Sequence, residues 1–149
     1  MGVIALPRVG ESCEVVIEYP RWSAVKRRSD GSVDFVSPVP CPYNYGHVPG
    51  VMSGDGDPLD AVVLGGRLPA GARVRVAVMG VVDFVDGGLA DPKLICSATG
   101  RWSARERRGV ELFFTAYALG KRALAAMRGQ TGVTRFSGWM GGEPGRKDR

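Results

Sequence analysis

The segment Arg73-Val-Arg-Val-Ala-Val78 decides the fold class, because polar and apolar side chains alternate along it. Alternation with a period of two places one set of side chains in a core and the other in solvent, as in a half-buried strand. We therefore predict a strand over residues 73–85. Turn residues flank it at positions 69–71 and 86–88.

Short apolar runs bounded by turn residues extend this β pattern in both directions. Prolines at positions 38, 40 and 42 predict an extended, non-helical passage in the first half of the chain. We predict further strands over residues 14–19, 25–28, 33–36, 61–64 and 93–97, with a hairpin turn at residues 29–32.

The segment that favours a helix comes late in the chain. Ser103 and Glu106 have the spacing of a capping box, and apolar residues recur at helical spacing until Gly129. Gly120 leaves open whether this is one helix or two. Short strands followed by helix predict an α+β protein, a small closed or nearly closed β-barrel with one or two C-terminal helices packed outside. We assign residues 1–140 to a single domain and residues 141–149 to a flexible basic tail.

The composition excludes several classes of protein. No apolar run approaches the ~20 residues of a membrane-spanning helix, and the N-terminus lacks the basic region of a signal peptide. We therefore expect a cytoplasmic protein without a membrane partner. Three widely spaced cysteines and one histidine argue against a Cys/His zinc site and a disulfide framework.

The charges point to metal binding more than to nucleic acid. A net charge of +5 invites a nucleic-acid partner. Yet three of the fifteen acids fall in the loop Asp55-Gly-Asp-Pro-Leu-Asp60, where Asp55, Asp57 and Asp60 repel one another unless cations lie between them. Oxygen ligands suit hard divalent ions, so we predict Mg²⁺, with Mn²⁺ as the alternative. A solvated turn remains an alternative; a calcium loop lacks its twelfth-position acid, because Gly66 stands there.

Two further places carry acids of interest. Asp86 and Asp91 lie on a glycine-rich loop just before Lys93, which begins a predicted strand; taken alone, this segment is better explained as an exposed hairpin with ordinary charges. Glu18 interrupts an apolar strand on the same face as Val16, and a carboxylate there needs a cation or hydrogen-bond donors.

Together these motifs resemble those of the soluble family I inorganic pyrophosphatases. The loop over residues 55–60 fits that family's Asp-(Ser/Gly)-Asp-Pro-x-Asp signature, and Pro42-Tyr-Asn-Tyr45 precedes it as in the family. Phe113-Phe-Thr-Ala-Tyr117 and Gly138-Trp139 match the family's C-terminal pattern, so the resemblance covers about residues 13–139. It implies an OB-like five-stranded barrel, Mg²⁺ dependence and hydrolysis of inorganic diphosphate. Bacterial members are commonly oligomers, often hexamers, so a homo-oligomer is expected.

The resemblance also implies a role for individual residues. Asp57 matches the acid that helps to deprotonate the nucleophilic water, and Glu18 a position that binds metal directly or through water. The implied direct metal ligands are Asp55, Asp60, Asp86 and Asp91. The implied phosphate contacts are Lys26, Tyr45, Lys93 and Tyr117.

The chain departs from the family at several phosphate contacts. Residues 37–40 lack the family's arginine, Cys41 replaces a tyrosine, Arg28 replaces an acid and Ala118 replaces a lysine. One interpretation is a pyrophosphatase whose lost contacts are replaced by another basic residue. A second is an enzyme retuned to an organic phosphate or diphosphate, and a third is a non-catalytic phosphate-binding or nucleic-acid-binding OB-like module. Candidates for the replacement are Arg21, Arg28 and Lys121.

Overall fold

The computed structural model describes residues 6–23, 25–27, 32–36, 41–54, 56–130 and 132–140, with residues 25–27 and 33–36 described by their backbone only. The elements are the strands β1 (Ser12–Tyr19), β2 (Val25–Arg27), β3 (Val33–Val36), β4 (Asn44–Met52), β5 (Pro58–Leu64), β6 (Arg73–Asp86), β7 (Leu89–Ala90), β8 (Lys93–Ser97) and β9 (Arg135–Trp139), and the helix α1 (Ala104–Met127).

Five strands form a closed barrel. Their order is β1-β4-β5-β8-β6, and β6 pairs back with β1 to close the ring. The β5–β8 pair is parallel and the other four pairs are antiparallel. The predicted α+β barrel is therefore confirmed, with β7 and β9 added to β6 and with β2 and β3 forming a separate hairpin.

The barrel wall separates two apolar layers, because side chains alternate between its faces. On β5, Leu59, Ala61 and Val63 fill the barrel interior. Val62 and Leu64, one residue out of phase, point outward and pack beneath α1. The same alternation sends the even-numbered Asp60 to the outer face, so the barrel wall and the helix together position the acids described below.

Helix α1 is continuous through Gly120. Ser103 accepts a hydrogen bond from the backbone N–H of Glu106, whose side chain accepts from the N–H of Ser103, so the predicted capping box is confirmed. At the other end Arg128 is the C-cap, and Gly129 has a φ of 67°, which glycine adopts without strain. The described part of the chain contains no helix that is both long and apolar enough to cross a membrane.

Strand β4 (Asn44–Met52) follows the predicted extended passage, in a segment for which the sequence predicted no strand. Pro49 falls in the register irregularity between Val48 and Met52, a place where a strand tolerates a proline. Gly46 is required because a Cβ there would lie 2.0 Å from the carbonyl oxygen of Val16 on β1. The predicted β2–β3 hairpin is paired as expected, while its turn, the passage over residues 37–40 and the tail lie outside the described residues.

Candidate functional site

Lys93 is the centre of a charged cluster on the outer face of the barrel. The parallel register of β5 and β8 sets Asp60 beside Lys93. The buried ammonium donates to Asp60 Oδ2 at 2.6 Å and to Asp91 Oδ2 at 2.8 Å. Burial lowers the pKa of Lys93, but the two carboxylates raise it by more, so its pKa lies above the usual range. A permanently charged lysine thus holds two predicted metal ligands together.

Two tyrosines border this cluster. Tyr45, on the outer face of β4, donates from its hydroxyl to Asp60 Oδ2 at 3.2 Å. Burial, with the neighbouring charge of Asp60, raises the pKa of Tyr45 well above its usual value. Tyr117 comes from α1, and its ring centroid lies 5.6 Å from that of Phe84 on β6. Both predicted phosphate-contacting tyrosines therefore lie at the same face of the barrel as Lys93.

Asp86, at the end of β6, has a different cation. Lys121 Nζ of α1 donates to Asp86 Oδ2 at 2.5 Å, and Thr134 Oγ1 donates to Asp86 Oδ1 at 3.4 Å. Burial lowers the pKa of Lys121, but Tyr117 and Asp86 raise it by more, so its net pKa is raised. The sequence proposed Lys121 only as a replacement contact. Its spacing of four residues from Tyr117, one helical turn, is the signal that places both on one face.

Glu18 is paired with the chain's single histidine. Glu18 lies on β1. Val15 and Ile17 of the same strand point into the barrel, so by alternation Glu18 lies on the outer face. His47 lies opposite Asp60 on β5, and its Nδ1 is 2.7 Å from Glu18 Oε2. Sequence reasoning missed His47 as a site residue. The signal lies in its period-two spacing from Tyr45, since residues two apart on a strand share a face.

The remaining predicted site residues are less fully described. Asp57 is exposed on the loop between β4 and β5, where its carbonyl accepts from the backbone N–H of Ser53 at 2.8 Å. Asp55 and Arg28 lie outside the described residues. Lys26 is placed by its backbone on β2, opposite Phe35. The roles of these four residues stay predictions.

The structure describes Ala118, a departure from the family pattern, and Arg21, a candidate replacement contact. Ala118 is buried among Phe84, Phe114 and Val62, so it belongs to the packing between helix and barrel. Arg21 donates to the carbonyl oxygens of Pro42 and Gly65, at the far end of β5 from Asp60. Neither position places a cation beside Lys93.

The donor set fits a hard divalent cation in its chemistry. Asp60, Asp86, Asp91 and Glu18 supply only carboxylate oxygens, and each is paired with a lysine or a histidine. Asp60 and Asp91 share the single ammonium of Lys93, which leaves one negative charge there that a bound cation can offset. Within the described residues, no three His, Cys, Asp or Glu side chains lie close enough to share one metal ion, and Asp55 is not among those residues. The four described carboxylates are therefore paired with lysine or histidine side chains.

Carboxylates and lysines lie together on one outer face of this barrel. Such a face defines a class of protein that can bind metal cations through the carboxylates and anionic oxygens through the lysines. Residues 15–113 match the Pyrophosphatase family model, described as inorganic pyrophosphatase. The chain belongs to the inorganic pyrophosphatase family.

Individual relatives agree with this assignment. An inorganic pyrophosphatase from Synechocystis is 32% identical over 100 residues, which cover 62% of this chain and 59% of the relative. One from Xylella fastidiosa is 39% identical over 94 residues, which cover 57% and 53%. The chain thus spans little more than half the length of either relative. The crystal structure of an inorganic pyrophosphatase from Thermus thermophilus is similar with a TM-score of 0.67 and 28% identity, covering 91% of this chain and 87% of that one.

Proposed function

We propose that this protein hydrolyses inorganic diphosphate to phosphate in a reaction that depends on Mg²⁺. The observation that carries the proposal is the Asp60–Lys93–Asp91 cluster, a buried ammonium between two carboxylates, on the barrel of this family. Such a cluster offers oxygen ligands to a metal and a fixed cation to phosphate oxygens. A nucleic-acid-binding module does not explain six acids at three places. A site that had lost catalysis should lose metal ligands and base as readily as phosphate contacts, and here all of those acids are present.

Membership in the family implies dependence on a divalent metal ion, and Mg²⁺ rather than Mn²⁺ is part of the proposal. Asp55, Asp60, Asp86 and Asp91 would hold the metal, with Glu18 binding directly or through water. When bound, divalent ions lower the pKa of a water molecule and neutralise charge on phosphate.

The protein's own side chains take the remaining roles. Asp57, exposed on its loop, accepts a proton from the attacking water. Lys26, Lys93 and Tyr117 donate hydrogen bonds to phosphate oxygens, and Tyr45 does so by turning its single O–H away from Asp60, with Arg28 as a further candidate. Burial and Asp60 raise the pKa of Tyr45, which keeps its hydroxyl protonated and able to donate. These donors act where negative charge increases during cleavage.

The runner-up substrate is an organic phosphate or diphosphate. The observation that favours it is Ala118, which is buried in the helix–barrel packing and contributes no cation to the site. We also propose a cytoplasmic location and a homo-oligomer, for which a hexamer is the first state to test by light scattering.

Two variants with one substitution each test the metal ligands. Isothermal titration should show Mg²⁺ or Mn²⁺ binding to the wild type that is lost in Asp60→Asn and in Asp91→Asn. The exposed Glu14→Gln, which removes one acid from β1 outside the cluster, serves as the control and should titrate like the wild type. Equal metal affinity in all four proteins would contradict the assignment.

A third variant separates catalysis from metal binding. Asp57→Asn should keep its metal affinity while phosphate release from diphosphate falls by about 10²-fold or more, the scale for loss of a general base. Parallel losses of metal affinity and activity would reassign Asp57 from base to metal ligand.

A further inference from the structure

Lys121 is an unusual residue for this chain. Of its 20 basic residues only four are lysines, Lys26, Lys93, Lys121 and Lys147. Lys93 forms the centre of the acidic cluster, and Lys121 is the lysine of α1. A lysine is a compact point charge on a flexible stem, whereas arginine is a planar fork that suits bidentate pairing. Because most basic residues of this chain are arginines, the lysine on α1 indicates a position where a compact point charge is preferred.

Helix α1 brings Lys121 to the same face of the barrel as the cluster. Lys121 lies one turn beyond Tyr117, and its Nζ is 5.4 Å from the centroid of that ring. The same Nζ donates to Asp86, one of the predicted metal ligands. Ala118 points into the helix–barrel core, so the helix approaches the site through residues 117 and 121.

The two lysines differ in what they can still bind. Lys93 is 3% exposed and donates to two carboxylates, so at most one of its three N–H donors remains for a phosphate oxygen. Lys121 is 37% exposed, and Asp86 is the single ion-pair partner that the described residues give it. Because an ammonium carries three N–H donors, Lys121 retains donors that face solvent beside the acidic cluster.

We propose that Lys121 is the phosphate-binding cation contributed by helix α1, donating from Nζ to an oxygen of the diphosphate and setting the affinity for it. This inference rests on the proposed function and names one of its substrate contacts. Lys121 thereby places a positive charge at the helix side of the site, where Ala118 supplies none.

The test is a calorimetric titration with methylenediphosphonate, a diphosphate analogue that resists hydrolysis, in saturating Mg²⁺. Lys121→Met removes the ammonium and keeps an unbranched side chain. It should weaken methylenediphosphonate binding by about 10- to 100-fold, the loss expected for one charge-assisted hydrogen bond. Lys121→Arg should recover part of the affinity. Arg105→Ala removes one exposed charge from the same helix and should bind like the wild type.

A second titration, with Mg²⁺ alone, distinguishes the competing role. If Lys121 only neutralises Asp86, Lys121→Met should bind Mg²⁺ more tightly and methylenediphosphonate unchanged, which overturns the proposal. A wild type that fails to bind methylenediphosphonate overturns both the proposal and the proposed function. If the wild type binds it without hydrolysing diphosphate, the proposed function fails, and the affinities of the Lys121 variants still decide this inference.

Discussion

Replacing Lys93 with methionine should destabilise the metal-free protein strongly. The substitution leaves an unbranched side chain, one atom shorter, and removes the ammonium between Asp60 and Asp91. Breaking a buried ion pair by removing one partner costs roughly 3–5 kcal/mol, because the remaining charge is left uncompensated. The Asp60 side chain is 27% exposed and regains water, whereas that of Asp91 is 7% exposed and does not. We therefore expect the lower end, about 3 kcal/mol.

Thermal unfolding followed by circular dichroism in EDTA measures this effect. For a domain of about this size, 1 kcal/mol shifts the Tm by roughly 2–4 °C, so Lys93→Met should melt about 6–12 °C below the wild type. Saturating Mg²⁺ should reduce the difference in Tm between Lys93→Met and the wild type, because the carboxylates regain a cation. The control is Arg73→Met, which breaks an exposed pair with Glu14 and should cost less than about 1 kcal/mol. Similar melting of both variants would refute a buried ammonium.

Three further substitutions test the scaffold. Gly46→Ala should lower the free energy of unfolding, measured in urea, by more than about 3 kcal/mol. The new Cβ would lie 2.0 Å from the Val16 carbonyl oxygen, and the backbone there cannot move aside. Wild-type stability would disprove the close approach of β1 and β4. Asn44→Asp should cost about 3 kcal/mol or more, since an oxygen would face the carbonyls of Val63 and Gly66 to which Nδ2 now donates; Asn44→Ser, which keeps a donor, should be milder. Ser103→Ala should cost about 1 kcal/mol through loss of the helix cap, whereas Ser103→Asp should keep it; equal melting of the two variants would count against the cap.

Local patterns predicted most of the barrel and its helix. Strand β6 followed from the alternation over residues 73–78, and α1 followed from its capping box and apolar spacing. Strand β4 could not be predicted, because Gly46, Pro49 and Gly50 interrupt its alternation. Those glycines and the proline are tolerated for reasons that involve another strand, namely the backbone of β1 against Gly46 and the irregular pairing with β5.

The site was predictable in its residue types and less so in its pairings. Asp91 precedes Lys93 by two residues in the sequence, and in the structure their side chains are hydrogen-bonded. The contact of Lys93 with Asp60 depends on the parallel pairing of β5 with β8, which joins segments more than thirty residues apart. The pairing of Glu18 with His47 and that of Asp86 with Lys121 depend likewise on how β1 meets β4 and how α1 lies on the barrel. The spacing of residues along the chain does not predict such contacts between segments that are far apart in sequence.

The central claim is that this carboxylate–lysine site hydrolyses inorganic diphosphate with the help of a divalent metal. The most direct measurement is phosphate release from diphosphate, compared with a panel of organic diphosphates and monophosphates, in Mg²⁺ and in EDTA. We expect the highest kcat/KM for inorganic diphosphate in Mg²⁺ and no release in EDTA. Faster release from an organic member of the panel, or release from diphosphate that persists in EDTA, would contradict the claim.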